Sequence, residues 1–177
     1  MTREAMHAEL AAARSTTLTM LDAVDEPLRS IIPAGHTWSA LMVLDHLRIL
    51  DEQVAAVVQR IAARAKASGL DAPPPNITGL RELSTYEKGV MDAPSVAGME
   101  PRAPSPPTIE SDAAAARAQL LSVMGDVWAV DCRERRFPHP WIGPMNPFEW
   151  LQFTAVHERG HHPHLRAILS AAGEPHA

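Results

Sequence analysis

At 177 residues the chain has the length of one domain, expected to span 1–177, and enough of it to build a core without disulfide or metal staples. Apolar residues make up 46% and charged ones 21%, and 21 acids against 16 bases leave a formal charge of −5. No run of Lys and Arg suggests a nucleic-acid partner, and a single cysteine, Cys132, excludes an internal disulfide or a cysteine-based zinc site.

The N-terminus, Met1 to His7, carries charges where a secretion signal would place its apolar core. No apolar run approaches the roughly 18 residues of a membrane span, so a cytoplasmic protein without a membrane partner is expected. Helical periodicity dominates and alternating β-branched runs are absent, so the expected fold class is all-α. Met6, Leu10, Ala13, Thr17, Met20 and Val24 recur at spacings of three and four, predicting a first helix over about residues 3–28. The second, about 39–67, has the clearest seam: Val43, Leu47, Leu50, Val54, Val57 and Ile61. Ser39 is its N-cap, with Trp38 stapled onto Val43.

A proline-rich stretch over about 68–107 is too long for an ordinary loop. It fits a four-helix bundle whose second and third helices are parallel neighbours joined by a long crossover. Gly79–Ser84 is a candidate for a short extra helix within it. The third helix, about 108–128, turns Ala114, Ala118, Leu121 and Met124 toward the core. The fourth, about 147–170, opens with Asn146 as N-cap, Pro147 in the first position and Glu149 closing a capping box. Its apolar face reads Trp150, Phe153, His157, His161, Leu165, Ile168.

His157 and His161 stand one turn apart on that face. Buried imidazoles need partners for both ring nitrogens, and two stacked on a core stripe are explained by one metal ion accepting both lone pairs. His46, on the inward flank of helix two, is the candidate third ligand if helices two and four are neighbours. His164 lines this site or adds a fourth ligand, and His139 supports it or serves the loop Phe137–Gly143. His7, His36 and His176 are expected to face solvent, and His162 to point away. Pro163, with Gly160 nearby, predicts a kink. Glu158 is either a proton acceptor or a solvated charge. Cys132 sits beside Arg133, Arg135 and Arg136, a setting that favours a thiolate, although a single loop cysteine is commonly incidental.

His157-Glu158-Arg159-Gly160-His161 also matches the zinc-protease motif, but such enzymes need a third ligand downstream, only 16 residues follow His161, and Glu174 lies in the tail. Glu158-x-x-His161 is half of a di-iron motif, but the other Glu-x-x-His, Glu4-Ala5-Met6-His7, sits at the very start of helix one with His7 expected in solvent, so a dinuclear centre is not expected.

Trp38-Ser39, Asp45-His46-Leu47, His139-Pro140-Trp141-Ile142-Gly143, Glu149-Trp150-Leu151-Gln152-Phe153 and His157-Glu158-Arg159-Gly160-His161 together resemble the DinB-like metal-binding bundle superfamily. The resemblance implies an up-down-down-up bundle, often dimeric, with nickel, zinc or a similar divalent ion on three histidines that correspond to His46, His157 and His161. Members with known activity are thiol-dependent: S-transferases using bacillithiol, mycothiol or glutathione, and a maleylpyruvate isomerase. Gly160 and His164 depart from the arginine and glutamine usual at these places. Imidazoles suit zinc, nickel, iron or copper, and three of them leave an open coordination position. The leading expectation is therefore a thiol S-transferase of the detoxification type, taking a small-molecule substrate and a low-molecular-weight thiol. The alternatives are a metal-dependent hydrolase and a non-catalytic metal-binding stress-response protein.

Overall fold

The computed structural model describes residues 1–89 and 96–173. Four long helices carry the fold: α1 (Arg3–Asp22), α3 (Ala40–Ala67), α5 (Ile109–Trp128) and α6 (Pro147–Ala172). Two short helices, α2 (Glu26–Arg29) and α4 (Ser84–Gly89), and two strands, β1 (Phe137–His139) and β2 (Gly143–Met145), complete it. No helix is long and apolar enough to cross a membrane among the described residues. His176 and Glu174 lie outside them, as does part of the crossover.

Two apolar clusters fix the direction of each helix. One gathers Met6 and Leu10 of α1, Val54 and Val58 of α3, Leu120 and Val127 of α5, and Phe148 and Phe153 of α6. The other gathers Leu21, then Val43 and Leu47, then Ile109 and Ala113, then Leu165 and Ile168. The start of α1 and the start of α6 thus share one end with the later halves of α3 and α5. This is the expected up-down-down-up arrangement: α3 and α5 run parallel and pack along each other, while α6 lies between α1 and α3. The crossover that joins α3 to α5 is anchored by Ile77 and Leu83, both buried.

Caps behave as the sequence indicates. The Ser39 side chain accepts from the Met42 amide, and Asn146 and Glu149 form the full capping box of α6. α6 continues through Pro163 to Ala172.

Several expectations are corrected. The first helix stops at Asp22 rather than near 28, because Pro27 has no N–H and its ring would clash with the Ala23 carbonyl of a continuing helix. The extra helix lies at Ser84–Gly89, not 79–84; Gly79 adopts a left-handed φ of 71°, which breaks any helix there. The face of α5 is Ala113, Ala116, Arg117, Leu120, Val123, Met124 and Val127, so Met124 is buried as expected, whereas Leu121 is half-buried and Ala114 and Ala118 are exposed. Alanines 113 to 116 form a run without contrast in size, so periodicity could not choose among them. For the same reason the buried face of α3 drifts from Val57 and Ile61, both half-buried, to Ala55, Val58, Ala62 and Ala65. The antiparallel hairpin, pairing Phe137 with Met145 and His139 with Gly143, is too short and proline-rich to show as strands in the sequence.

Candidate metal centre

His46 comes from α3 and His157 and His161 from α6, one turn apart, and these helices are neighbours. The Nε2 atom of His157 lies 2.9 Å from His46 Nε2 and 3.1 Å from His161 Nε2. All three rings are buried, and each offers a nitrogen within 4.8 Å of the others. Tetrahedral zinc, with bonds of about 2.0–2.1 Å, holds its ligand nitrogens roughly 3.3 Å apart.

Proton counting shows why this group suits a cation. His46 Nδ1 stands 2.7 Å from the Met99 carbonyl oxygen, which can only accept. The proton therefore sits on Nδ1, and Nε2 presents a lone pair. His157 Nδ1 is 3.1 Å from the Tyr86 hydroxyl, a group that accepts as readily as it donates. Three nitrogens aimed at one another cannot all be satisfied by shared protons, since the central His157 Nε2 has one site for two neighbours. One divalent ion accepting three lone pairs satisfies all of them, with the Met99 carbonyl and Tyr86 orienting two of the rings from behind. Burial keeps the imidazoles neutral, as ligands must be. Loss of water and the neighbouring rings push His161 down to about 3 and His157 well below its ordinary value. Burial also lowers His46, against the Met99 carbonyl and Asp45.

The crossover supplies the backing groups. Asp45, fully buried next to His46, binds Arg102 through side chain and amide, each at 2.7 Å, and Arg48 at 2.7 Å. Gln53 donates to the Gly98 carbonyl at 3.0 Å. These contacts lay residues 96–102 along α3 and bring the Met99 carbonyl onto His46. α4 packs on α6 and delivers Tyr86 to His157. Neither contact was foreseen. The available signal was that Tyr86, the chain's single tyrosine, lies in the crossover.

A cavity of about 320 Å³ opens on the three imidazoles. Trp38 lies with its ring 5.1 Å from His46 and stacked at 6.3 Å on His161, so it lines the site as well as packing on the core near Val43. Phe153 and Tyr86 flank His157 at 5.4 and 6.2 Å.

The remaining candidates divide. His139 is buried against Phe153 at 4.7 Å, and its Nδ1 accepts from the Trp141 and Ile142 amides at 3.3 and 3.2 Å. It fastens the hairpin loop as a wall of the cavity, and burial pushes it down to about 4. His164 lines the cavity beside Trp38 but does not join the three-nitrogen group. His36, expected in solvent, is half-buried with its ring 6.3 Å from His164. His162 points elsewhere, 3.1 Å from the Thr17 hydroxyl.

Glu158 is neither a solvated charge nor a wall of the cavity. It is fully buried on the opposite flank of α6, bonded to Arg14 at 2.7 Å, Arg117 at 2.5 Å and Thr17 at 2.8 Å. Burial would raise its carboxyl, but the two arginines hold it below the ordinary value. Both carboxylate oxygens are engaged by these partners and neither lines the cavity, a setting that fits a structural role better than the expected proton acceptor. Cys132 is also corrected: its thiol is buried and pushed up to about 12, by loss of water first and by the Asp131 charge beside it. Arg133 and Arg136 are turned to Asp131 and Glu149.

Comparison with known proteins agrees with this architecture. A family model described as the DinB superfamily matches residues 9–165. The crystal structure of TT2238, described as a four-helix bundle protein, superposes with a TM-score of 0.58 at 23% identity, covering 96% of this chain and 99% of that one. No curated protein gives a significant match.

Proposed function

The chain belongs to the DinB superfamily, and from that membership and its imidazole cluster we propose that it is a metal-dependent thiol S-transferase. His46, His157 and His161 are the proposed ligands of one divalent ion, zinc or nickel before iron. A divalent ion bound there supplies a Lewis acid that favours the thiolate of a small thiol near neutral pH.

The observation that carries the reading is the open side of the cluster. Three imidazoles converge from one side, and among the described residues the other side faces the cavity rather than a fourth protein ligand, the arrangement of catalytic rather than closed sites. This favours an enzyme over a storage or structural site. Among the described residues, Glu100 at the rim is the one carboxylate lining the cavity, and it is tied to the Gly98 amide at 2.8 Å. A hydrolase needs an acceptor for the proton of its attacking water, and Glu158 is withdrawn. A thiol must lose a proton too, but with an ordinary value of about 8.5 against about 15.7 for water it releases that proton to solvent far more readily, so thiol transfer depends less on a protein acceptor.

The protein's own groups then orient and exclude. The Met99 carbonyl and Tyr86 oxygen fix two rings, and Trp38, Phe153 and Trp150 keep water from the reacting centre. With His157 donating from Nδ1 to the Tyr86 oxygen, the phenol proton is free to be donated toward a developing negative charge on the electrophile.

The test is a transfer assay on protein loaded with zinc or nickel, offering glutathione, bacillithiol and mycothiol to 1-chloro-2,4-dinitrobenzene. Metal-dependent conjugation by at least one thiol, abolished in His157→Ala, is expected. No conjugation with any thiol in protein that does hold metal would overturn the reading.

A further inference from the structure

The cavity beside the imidazoles combines aromatic walls with an unusual charge pattern. Trp38, Trp141, Trp150, Phe153 and Tyr86 contribute rings, and His139 packs between Phe153 and Trp150 at 4.7 and 5.4 Å. No lysine or arginine lines it among the described residues, and residues 90–95 and 174–177 contain none in the sequence. Three arginines of neighbouring segments are committed elsewhere: Arg102 to Asp45 at 2.7 Å, Arg159 to Glu87 at 3.0 Å, and Arg81 to the Ile142 and Pro144 carbonyls, while Lys88 on α4 is exposed and does not line the cavity. The carboxylate of Glu100 stands at the rim.

Size and chemistry point the same way. An apolar cavity of about 150 Å³ accommodates benzene, so the 320 Å³ here has room for a ring with substituents. Flat rings gain from stacked and edge contacts with indole and phenyl walls. An anionic group away from the reacting atom would lose its hydration with no guanidinium or ammonium to replace it, beside a carboxylate of the same sign.

We propose that this cavity takes an uncharged, planar apolar ligand as its electrophilic substrate and turns away ligands that carry a negative charge remote from the reacting atom. The inference rests on reading the cavity as the substrate site of the proposed transferase. Trp141, 43% exposed and edge-on to His139 at 5.5 Å, forms the outer wall where such a ligand enters.

The chain has four tryptophans, three lining the cavity, while Trp128 packs edge-on to Phe148 in the core. Their indole N–H signals in a nitrogen-15 spectrum of zinc-loaded protein therefore carry an internal control. Titration with nitrobenzene should move the signals of Trp38, Trp141 and Trp150 saturably and leave Trp128 in place. 4-Nitrobenzenesulfonate, a poor metal ligand of the same shape, should bind about tenfold or more weakly. Trp141→Ala should weaken nitrobenzene several-fold with unchanged helicity, and Glu100→Lys should improve the sulfonate relative to nitrobenzene. Equal or tighter binding of the sulfonate, or no saturable shift with nitrobenzene, would overturn the proposal. The readout needs neither thiol nor turnover, so protein that binds nitrobenzene yet transfers no thiol breaks the functional reading alone.

Discussion

Two buried polar clusters meet α6 at consecutive residues, and they are built on opposite principles. On the Glu158 flank, each long helix contributes one charge: Arg14 from α1, Asp51 from α3, Arg117 from α5 and Glu158 from α6. Two cations balance two anions, and spare donors reach the Leu10 and Ala113 carbonyls at 2.8 and 3.3 Å. On the His157 flank, three like groups face one another, and His161 Nδ1 is buried without a hydrogen-bond partner among the described residues. A closed, neutral network fixes helix positions; an under-satisfied one beside a cavity is held ready for something that is not protein. On the proposed reading, one flank of α6 serves the structure and the other the chemistry.

Removing one charge from the closed network should produce the largest effect. Arg117→Met strands Asp51 and Glu158 as buried carboxylates sharing one arginine, and should cost about 3–5 kcal/mol. Urea denaturation of the metal-free protein measures it. A loss under about 1 kcal/mol would mean that the network is not the fastening between the helices.

The open cluster should respond in the reverse sense. His157→Ala should reduce bound metal from about one ion per chain to none by elemental analysis, with helicity kept and metal-free stability changed by less than about 2 kcal/mol. If metal-free protein instead unfolds on losing His157, the two flanks are not distinct and the histidines belong to the core.

What the sequence made legible follows this division. Where side chains differ sharply from their neighbours, as with Trp150, Phe153, His157 and His161 on α6, periodicity alone placed them on one buried face. The cluster network was invisible for a physical reason: Arg14, Asp51, Arg117 and Glu158 are charged, and charge reads as solvent unless the partners are known to meet. Those partners lie 37 to 144 residues apart. Met99 escaped because it acts through a backbone carbonyl, to which sequence is blind, and Tyr86 because nothing local ties the crossover to α6.

Asp45 links the two styles of cluster, being a buried ion pair that serves the open site. Burial would raise its carboxyl, but hydrogen bonds from the Arg102 side chain and amide and from Arg48 outweigh this and lower it from 3.8 to about 2. A depressed carboxylate stabilises the fold fully above its unfolded value, and that contribution fades as pH falls from about 4 toward 2. Screening around half-exposed Arg102 limits it to about 1–2 kcal/mol. The gap in stability between wild type and Asp45→Asn, measured on metal-free protein, should therefore be present at pH 5 and close near pH 2. A gap independent of pH would show that the contact contributes shape, not charge.

The smallest effect should come from Tyr86→Phe, which sharpens the comparison most because it touches the open cluster without emptying it. The ring keeps its packing on Phe153 at 5.0 Å and loses the oxygen 3.1 Å from His157 Nδ1. Without that acceptor, the His157 tautomer that directs a lone pair from Nε2 into the cluster loses its support. Groups that orient a metal-bound imidazole typically carry about 10- to 100-fold in affinity. Metal affinity from competition with a chromogenic chelator should fall toward the low end of that range, since Tyr86 is only partly buried and water can substitute. Metal-free stability should change by less than about 1 kcal/mol, because no charge is stranded. Unchanged affinity would leave Tyr86 as a cavity wall alone and reduce the ring supports to the Met99 carbonyl. Lost stability with unchanged affinity would place Tyr86 with Glu158, on the side of α6 that holds the bundle together.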